Sequence, residues 1–232
     1  GDLTVEPNES FFVNVSNVSG GGVVVLDAQG LGTINNDDVT VTRIHDIQGP
    51  SNSSPLVGQV VTARAIVTGV KSNGFFIQEA EADYDADPLT SEGVFVFTSS
   101  APPAAAAVGN RVQVTATVVE FVPPADLLQP PLTELSSPSV SLISVGNPLP
   151  APIPLTTTFP DPTGNIHQLE RLEGMRASLA SLTVVAPTLG NVNEPNATAT
   201  SSGVFYGVVT GVAHPFREAG IPADDPPPSC CD

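Results

Sequence analysis

Short apolar runs alternate with clusters of Gly, Pro, Asn, Asp and Ser along the whole chain, and the three-to-four-residue apolar spacing of long amphipathic helices is almost absent. In residues 10–16, Phe11, Val13 and Val15 fall on one face of an extended strand, with Asn14 and Ser16 on the other. Gly20-Gly21-Gly22 predicts a turn, residues 23–26 a second strand and residues 30–34 a third, closed by Asn35-Asn36-Asp37-Asp38. Further strands are expected at residues 39–44, 59–70, 74–79, 93–98, 111–121, 133–137, 140–145, 175–185 and 204–212. Residues 60–68 alternate well enough for a curved barrel strand. One short helix is expected at residues 165–172, between the turn at Asp161–Gly164 and a helix stop at Gly174.

Composition narrows the functional classes. With 232 residues there is material for one large or two small domains, and 24 prolines and 20 glycines suit short strands joined by frequent turns. Acidic residues outnumber Lys plus Arg by 24 to 7, for a net charge of −17. Seven cations are too few for a broad basic face, which disfavours nucleic acid as a partner. A mean hydropathy of +0.16 raises the question of a membrane. No apolar run reaches the ~18 residues a bilayer-spanning helix needs. Few lysines, much Ser and Thr and only two cysteines fit an exported bacterial protein, secreted or displayed at the cell surface. Gly1 in place of Met and the Pro226-Pro227-Pro228 tail over residues 221–232 are expected of a processed piece of a longer polypeptide, the tail acting as a linker.

Two stretches resemble known families. Residues 3–38, with Glu6-Pro7-Asn8-Glu9-Ser10-Phe11, Asp27-Ala28-Gln29-Gly30-Leu31-Gly32-Thr33-Ile34 and the closing Asn36-Asp37-Asp38, resemble the C-terminal half of a Calx-beta domain, an immunoglobulin-like sandwich. The earlier strands of that sandwich have no counterpart in the chain. The series "IHDIQG", "SPLVGQVVTARAIVTGV", "GFFIQEAEADYDADPLTSEGVFVFT", "VGNRVQVTATVVEF" and "LTEL" is similar to the OB-fold-like domain preceding the catalytic domain of secreted bacterial endonuclease/exonuclease/phosphatase-type nucleases. That catalytic domain has no matching stretch here. Pattern and resemblance together imply an all-β chain. A partial immunoglobulin-like sandwich (residues 1–38) is joined to an OB-like β-barrel with one short helix (39–220), followed by the tail (221–232).

Candidate chemistry is sparse. His45, His167 and His214 are far apart and show no metal or nucleophile spacing, so no enzyme activity is expected. The resemblance makes His45 structural. Asp83, Asp85 and Asp87 alternate in one loop before Glu92, and such oxygen ligands suit calcium as a cofactor; the competing reading is a solvated acidic turn. Asp37 and Asp38 match, by resemblance, terminal acids that bind calcium in some Calx-beta domains. Sequons at Asn8, Asn14, Asn17, Asn52 and Asn196 are candidate glycan sites, against chance in a Ser- and Thr-rich chain. Cys230 and Cys231 are adjacent, a strained spacing for a disulfide with each other, so partners elsewhere are the alternative.

The functional expectation follows from the half sandwich. Strands with one apolar face need a second sheet, and unpaired edges invite another strand. Phe11, Phe12, Val13, Val15, Val23, Val24, Val25 and Leu26 are the expected interface. It joins copies of the chain, or a neighbouring segment of the parent polypeptide, into a fibre by strand addition. The alternatives are a nucleic-acid- or polysaccharide-binding OB module of a secreted nuclease, using Phe75, Phe76, Phe95 and Phe97 as stacking rings, and a calcium-dependent adhesion domain.

Overall fold

The computed structural model describes residues 6–17, 19–22, 24–36, 38–122, 130–164, 166–186, 190–196, 198–201 and 206–212. Its first unit is a two-stranded antiparallel ribbon. β1 (Glu9–Asn14) pairs with β2 (Gln29–Ile34), with Phe12 opposite Leu31 and Phe11 opposite Gly32. The second strand expected at residues 23–26 does not form among the described residues. There the chain stays in the connection, and the Asp27 carboxylate accepts the Gln29 N–H to turn it into β2. The described part of the N-terminal unit is a two-stranded ribbon.

Residues 39–43 were expected to open a strand but remain irregular, tied to the barrel by Thr42 N–H to Thr62 O. The chain then turns into α1 (Ile44–Gln48), which sequence alternation did not predict. Burial explains it: Ile44 and Ile47, three apart, share one helical face and are both fully covered by the barrel core. Each such burial contributes roughly 2 kcal/mol, enough to override the strand tendency of a short Val- and Thr-rich run.

Five strands follow: β3 (Val60–Lys71), β4 (Gly74–Gln78), β5 (Gly93–Phe97), β6 (Arg111–Phe121) and β7 (Leu132–Ser144). They close into a barrel in the order β3-β4-β5-β7-β6, with β5 and β7 parallel and the other neighbours antiparallel. Period-two alternation sends Val61, Ala63, Ala65 and Val67 of β3, and Val112, Val114, Ala116 and Val118 of β6, into the core. Phe75, Ile77, Val94, Val96 and Leu135 fill the remainder, and α1 plugs one end. β7 was expected as two strands but is one bent strand. Pro138, which has no N–H for the ladder, sits at a register shift beside Ser137, whose φ is +55°.

Beyond the barrel, the expected strand at 175–185 is broken into two short strands. β8 (Ile153–Pro154) pairs in parallel with β9 (Ala177–Ser178), and β10 (Leu182–Ala186) pairs with a strand near residue 206. β11 (Gly190–Asn193) and β12 (Thr198–Ser201) form a hairpin, and β13 (Tyr206–Val209) is the partner of β10. The expected helix is a 3-10 helix over Ile166–Leu172. The chain is all-β, and none of its described helices is long and apolar enough to cross a membrane.

Candidate functional site

The first candidate surface is the ribbon. Every residue of β1 is exposed, and Phe11, Phe12, Val13, Leu31 and Ile34 each leave about half or more of their surface open. The pairing sorts the side chains by face. Phe11, Val13 and Ile34 share one side with Gly30 and Gly32, and the Phe11 ring lies directly over Gly32. Phe12 and Leu31 share the other side with Ser10, Asn14, Gln29 and Thr33. Val15, Val24, Val25 and Leu26 extend the exposed apolar surface into the connection, Leu26 at 95%. Val23 lies outside the described residues.

A second constellation joins the barrel to α1. Glu79 follows directly on β4 and Glu92 directly precedes β5, and the Glu79 N–H donates to Glu92 O at 3.0 Å, so the hairpin pairing sets the two side chains next to each other. α1 carries His45 over them. Its Nδ1 lies 3.1 Å from Glu92 Oε2 and 3.5 Å from Glu79 Oε2. Glu79 Oε1 accepts the Ile44 N–H at 2.9 Å, Glu92 Oε1 accepts the Asp85 N–H at 3.0 Å, and Glu79 Oε2 is buried without a hydrogen bond. The two glutamates are 1% and 5% exposed, and His45 is half-buried.

Their titration reflects that crowding. Burial, with the adjacent Glu92, pushes Glu79 up to about 7 against the pull of the Ile44 N–H. Burial alone would lower His45, but the hydrogen bond and charge of Glu92, with the charges of Glu79 and Asp85, outweigh it and raise the imidazole above its usual value. Among the described residues, His45, Glu79 and Glu92 are the one set of three His, Cys, Asp or Glu side chains offering ligand atoms all within 4.8 Å of one another. Glu92 also lines an open cleft of about 260 Å³ together with Tyr84, Asp85, Thr90, Arg171 and Met175.

The acids expected to bind calcium do not converge in this way. Asp83 is paired with Arg43 at 2.9 Å and Arg111 at 3.6 Å. Asp85 Oδ1 accepts the Asp87 N–H and the Thr90 hydroxyl, and Asp87 Oδ1 accepts the Leu89 N–H, so the loop acids hold their own turn. The Asp38 N–H is held by Asn36 Oδ1, and Asp37 lies outside the described residues. So do His214 and both cysteines, Cys230 and Cys231.

A third carboxylate group gathers at the barrel's flank. Glu120 Oε1 accepts from the Ser54 N–H and the Thr133 hydroxyl, and Glu173 Oε1 accepts the Thr133 N–H at 2.9 Å. Burial and the neighbouring Glu170 push Glu173 up to about 8, while burial and Glu120 push Glu170 up to about 7.

The sequons are dispersed. Asn8 Oδ1 accepts the Asn36 N–H and Asn14 Oδ1 accepts from Gln29 Nε2, both within the ribbon unit. Asn17 has φ +54°, Asn52 Nδ2 donates to His167 Nδ1, and Asn196 is exposed. The aromatic face is divided. Phe75 is in the core, whereas Phe95 packs at 4.9 Å from Phe76 under the Lys71 ammonium and is only 3% exposed. Phe76 and Phe97 are half-buried.

Sequence reasoning passed over the His45–Glu79–Glu92 set because its members lie on three separate elements. The available signal was the pair of acids flanking two apolar strands, Phe75-Phe76-Ile77-Gln78-Glu79 and Glu92-Gly93-Val94-Phe95-Val96. No protein-family model matches the chain, and neither a curated protein nor a solved structure matches it.

Proposed function

We propose that this chain is a non-catalytic extracellular building module that joins to other copies of itself by β-strand addition through the β1–β2 ribbon. The observation that carries this reading is the ribbon's exposure: β1 and β2 pair only with each other among the described residues, and their apolar side chains face water. A lone two-stranded ribbon is marginal in water, and free strand edges with apolar alternation are templates for another strand. The two edges differ in sequence. Antiparallel pairing of β1 with β1 of one neighbour, and of β2 with β2 of another, would place two separate two-fold contacts on opposite edges. Contacts on both edges let each copy join two neighbours, and a row of copies whose two-fold axes do not intersect extends into a fibre.

The alternatives draw less support. The Phe95 ring is covered and Phe75 is in the core, which leaves two half-buried rings for stacking a polymer on an acidic chain. The loop acids expected of a calcium-dependent adhesion domain are engaged in local hydrogen bonds and ion pairs.

Light scattering and negative-stain electron microscopy of the purified chain test the proposal, beside Phe11→Ser and Val13→Ser. Elongated assemblies that the substitutions dissolve, with the barrel's circular dichroism unchanged, are the expected result. A monodisperse monomer at all concentrations would sink it.

A further inference from the structure

We infer that His45, Glu79 and Glu92 form a binding site for a single divalent cation of the Zn²⁺ type. Three features of the arrangement carry this. First, the donors converge from separate elements into a largely buried point, with Glu79 at 1% exposure and its Oε2 receiving no backbone N–H, that end of the carboxyl meeting the Glu92 carboxyl and the His45 ring. A buried carboxylate oxygen without a donor is costly, and a cation among the three side chains supplies what no neighbouring N–H does. The imidazole cannot do so alone, because a single Nδ1 proton cannot be given fully to both Glu92 Oε2 at 3.1 Å and Glu79 Oε2 at 3.5 Å.

Second, the spacing fits a small ion. Tetrahedral Zn²⁺ with bonds of about 2.0–2.1 Å to nitrogen and oxygen sets its ligands about 3.3 Å apart. The two His45–glutamate separations, 3.1 and 3.5 Å, bracket that edge. In this state Nδ1 is the ligand and the remaining ring proton is on Nε2, with the Asp46 carboxylate 4.0 Å away as a nearby negative charge. One nitrogen and two carboxylates match a borderline ion better than calcium, which takes six to eight oxygens.

Third, the other ends of both carboxylates are already fixed. Glu79 Oε1 holds the Ile44 N–H and Glu92 Oε1 holds the Asp85 N–H, so Oε2 of each is aimed before any ion arrives. Glu92 also lines the open cleft beside Tyr84 and Asp85, so one of the three donors borders open space.

The full chain, stripped with chelator and dialysed, is titrated with Zn²⁺, Mn²⁺ and Ca²⁺ by calorimetry, with metal content read by mass spectrometry and geometry by the visible spectrum of Co²⁺. One Zn²⁺ per chain, a Co²⁺ band of tetrahedral intensity and weaker Ca²⁺ binding are expected. Glu79→Gln keeps an acceptor for Ile44 and therefore the fold, and lowers Zn²⁺ affinity by more than the ~100-fold seen for outer-shell changes. His45→Ala does the same, while Asp87→Asn leaves affinity unchanged. Absence of Zn²⁺ binding at 100-micromolar order of concentration (roughly the weak limit of a built site), retained affinity in Glu79→Gln and His45→Ala, or tighter Ca²⁺ than Zn²⁺ binding would each overturn the assignment.

Discussion

Glu79 Oε1 accepts the backbone N–H of Ile44 at 2.9 Å, so a carboxylate at the end of a barrel strand caps a helix that lies 35 residues earlier in the chain. The residue before that helix, Arg43, makes no side-chain cap of its own. Long-range pairing thus substitutes for the local Ser, Thr, Asp or Asn that ordinarily satisfies a first-turn amide.

Removing that carboxylate leaves a buried donor unsatisfied. Glu79→Ala is expected to lower unfolding free energy by about 1–3 kcal/mol, and Glu79→Gln by clearly less, since its amide oxygen still accepts. Urea melts followed by circular dichroism make the comparison. Equal losses in the two variants would mean that the cap contributes nothing.

Stability should depend on pH through Glu173 and Glu170. Burial holds their folded-state values up to about 8 and about 7, whereas the unfolded chain titrates near 4.5. Between those limits the folded chain binds more protons. Stability from these groups is therefore complete below about pH 4.5 and falls as pH rises towards 8, by at most ~1.4 kcal/mol per unit for each. Thermal melts from pH 5 to 8 should show Glu173→Gln losing less stability over this range than the unsubstituted chain. Parallel curves would refute the linkage.

Gly93 and Gly174 are in backbone contact. A Cβ at Gly93 would lie 2.5 Å from Gly174 C, and Gly174 itself has φ +69°. Neither backbone can retreat without opening the β4–β5 end of the barrel, where Gln48 Nε2 donates to Gly93 O at 2.6 Å. Gly93→Ala is expected to destabilise by roughly 1–3 kcal/mol, measured by melting temperature, while Ala at the open position of Gly58 meets no atom and loses only what its φ of +81° imposes.

Assembly through the ribbon works against a net charge of −17. Raising salt shortens the screening length from about 30 Å at 0.01 M to about 10 Å at 0.1 M. Sedimentation should therefore show larger species as salt rises. The opposite trend would place ionic contacts, rather than the apolar ribbon, at the interface.

Asp83 bridges Arg43 and Arg111, whose side chains are 43% and 38% exposed. Asp83→Asn should cost less than ~1 kcal/mol, since exposed pairs are well solvated. A larger loss in urea melts would show that the bridge holds the loop in place.

The alternating pattern made β6 legible to its end residues and located β3, β4 and β5 within a residue or two. Each of these strands has one face buried by the same core, so period two is written directly into the residue order. β1 was legible for the same reason, although its apolar face is exposed. Residues 23–26 carried as strong a strand signal, yet β1 took its partner from residues 29–34. Strand propensity cannot say which of two neighbouring apolar runs will supply the ladder.

What the order of residues determined alone is the all-β class, the acidic surface and the positions of most barrel strands, because these depend on local alternation and on summed charge. Tertiary structure decided α1, whose helix exists because Ile44 and Ile47 fill the barrel end. It also decided the meeting of His45, Glu79 and Glu92. Those three side chains come together through strand pairing and helix docking, and no spacing along the chain encodes a distance that closure of the barrel creates.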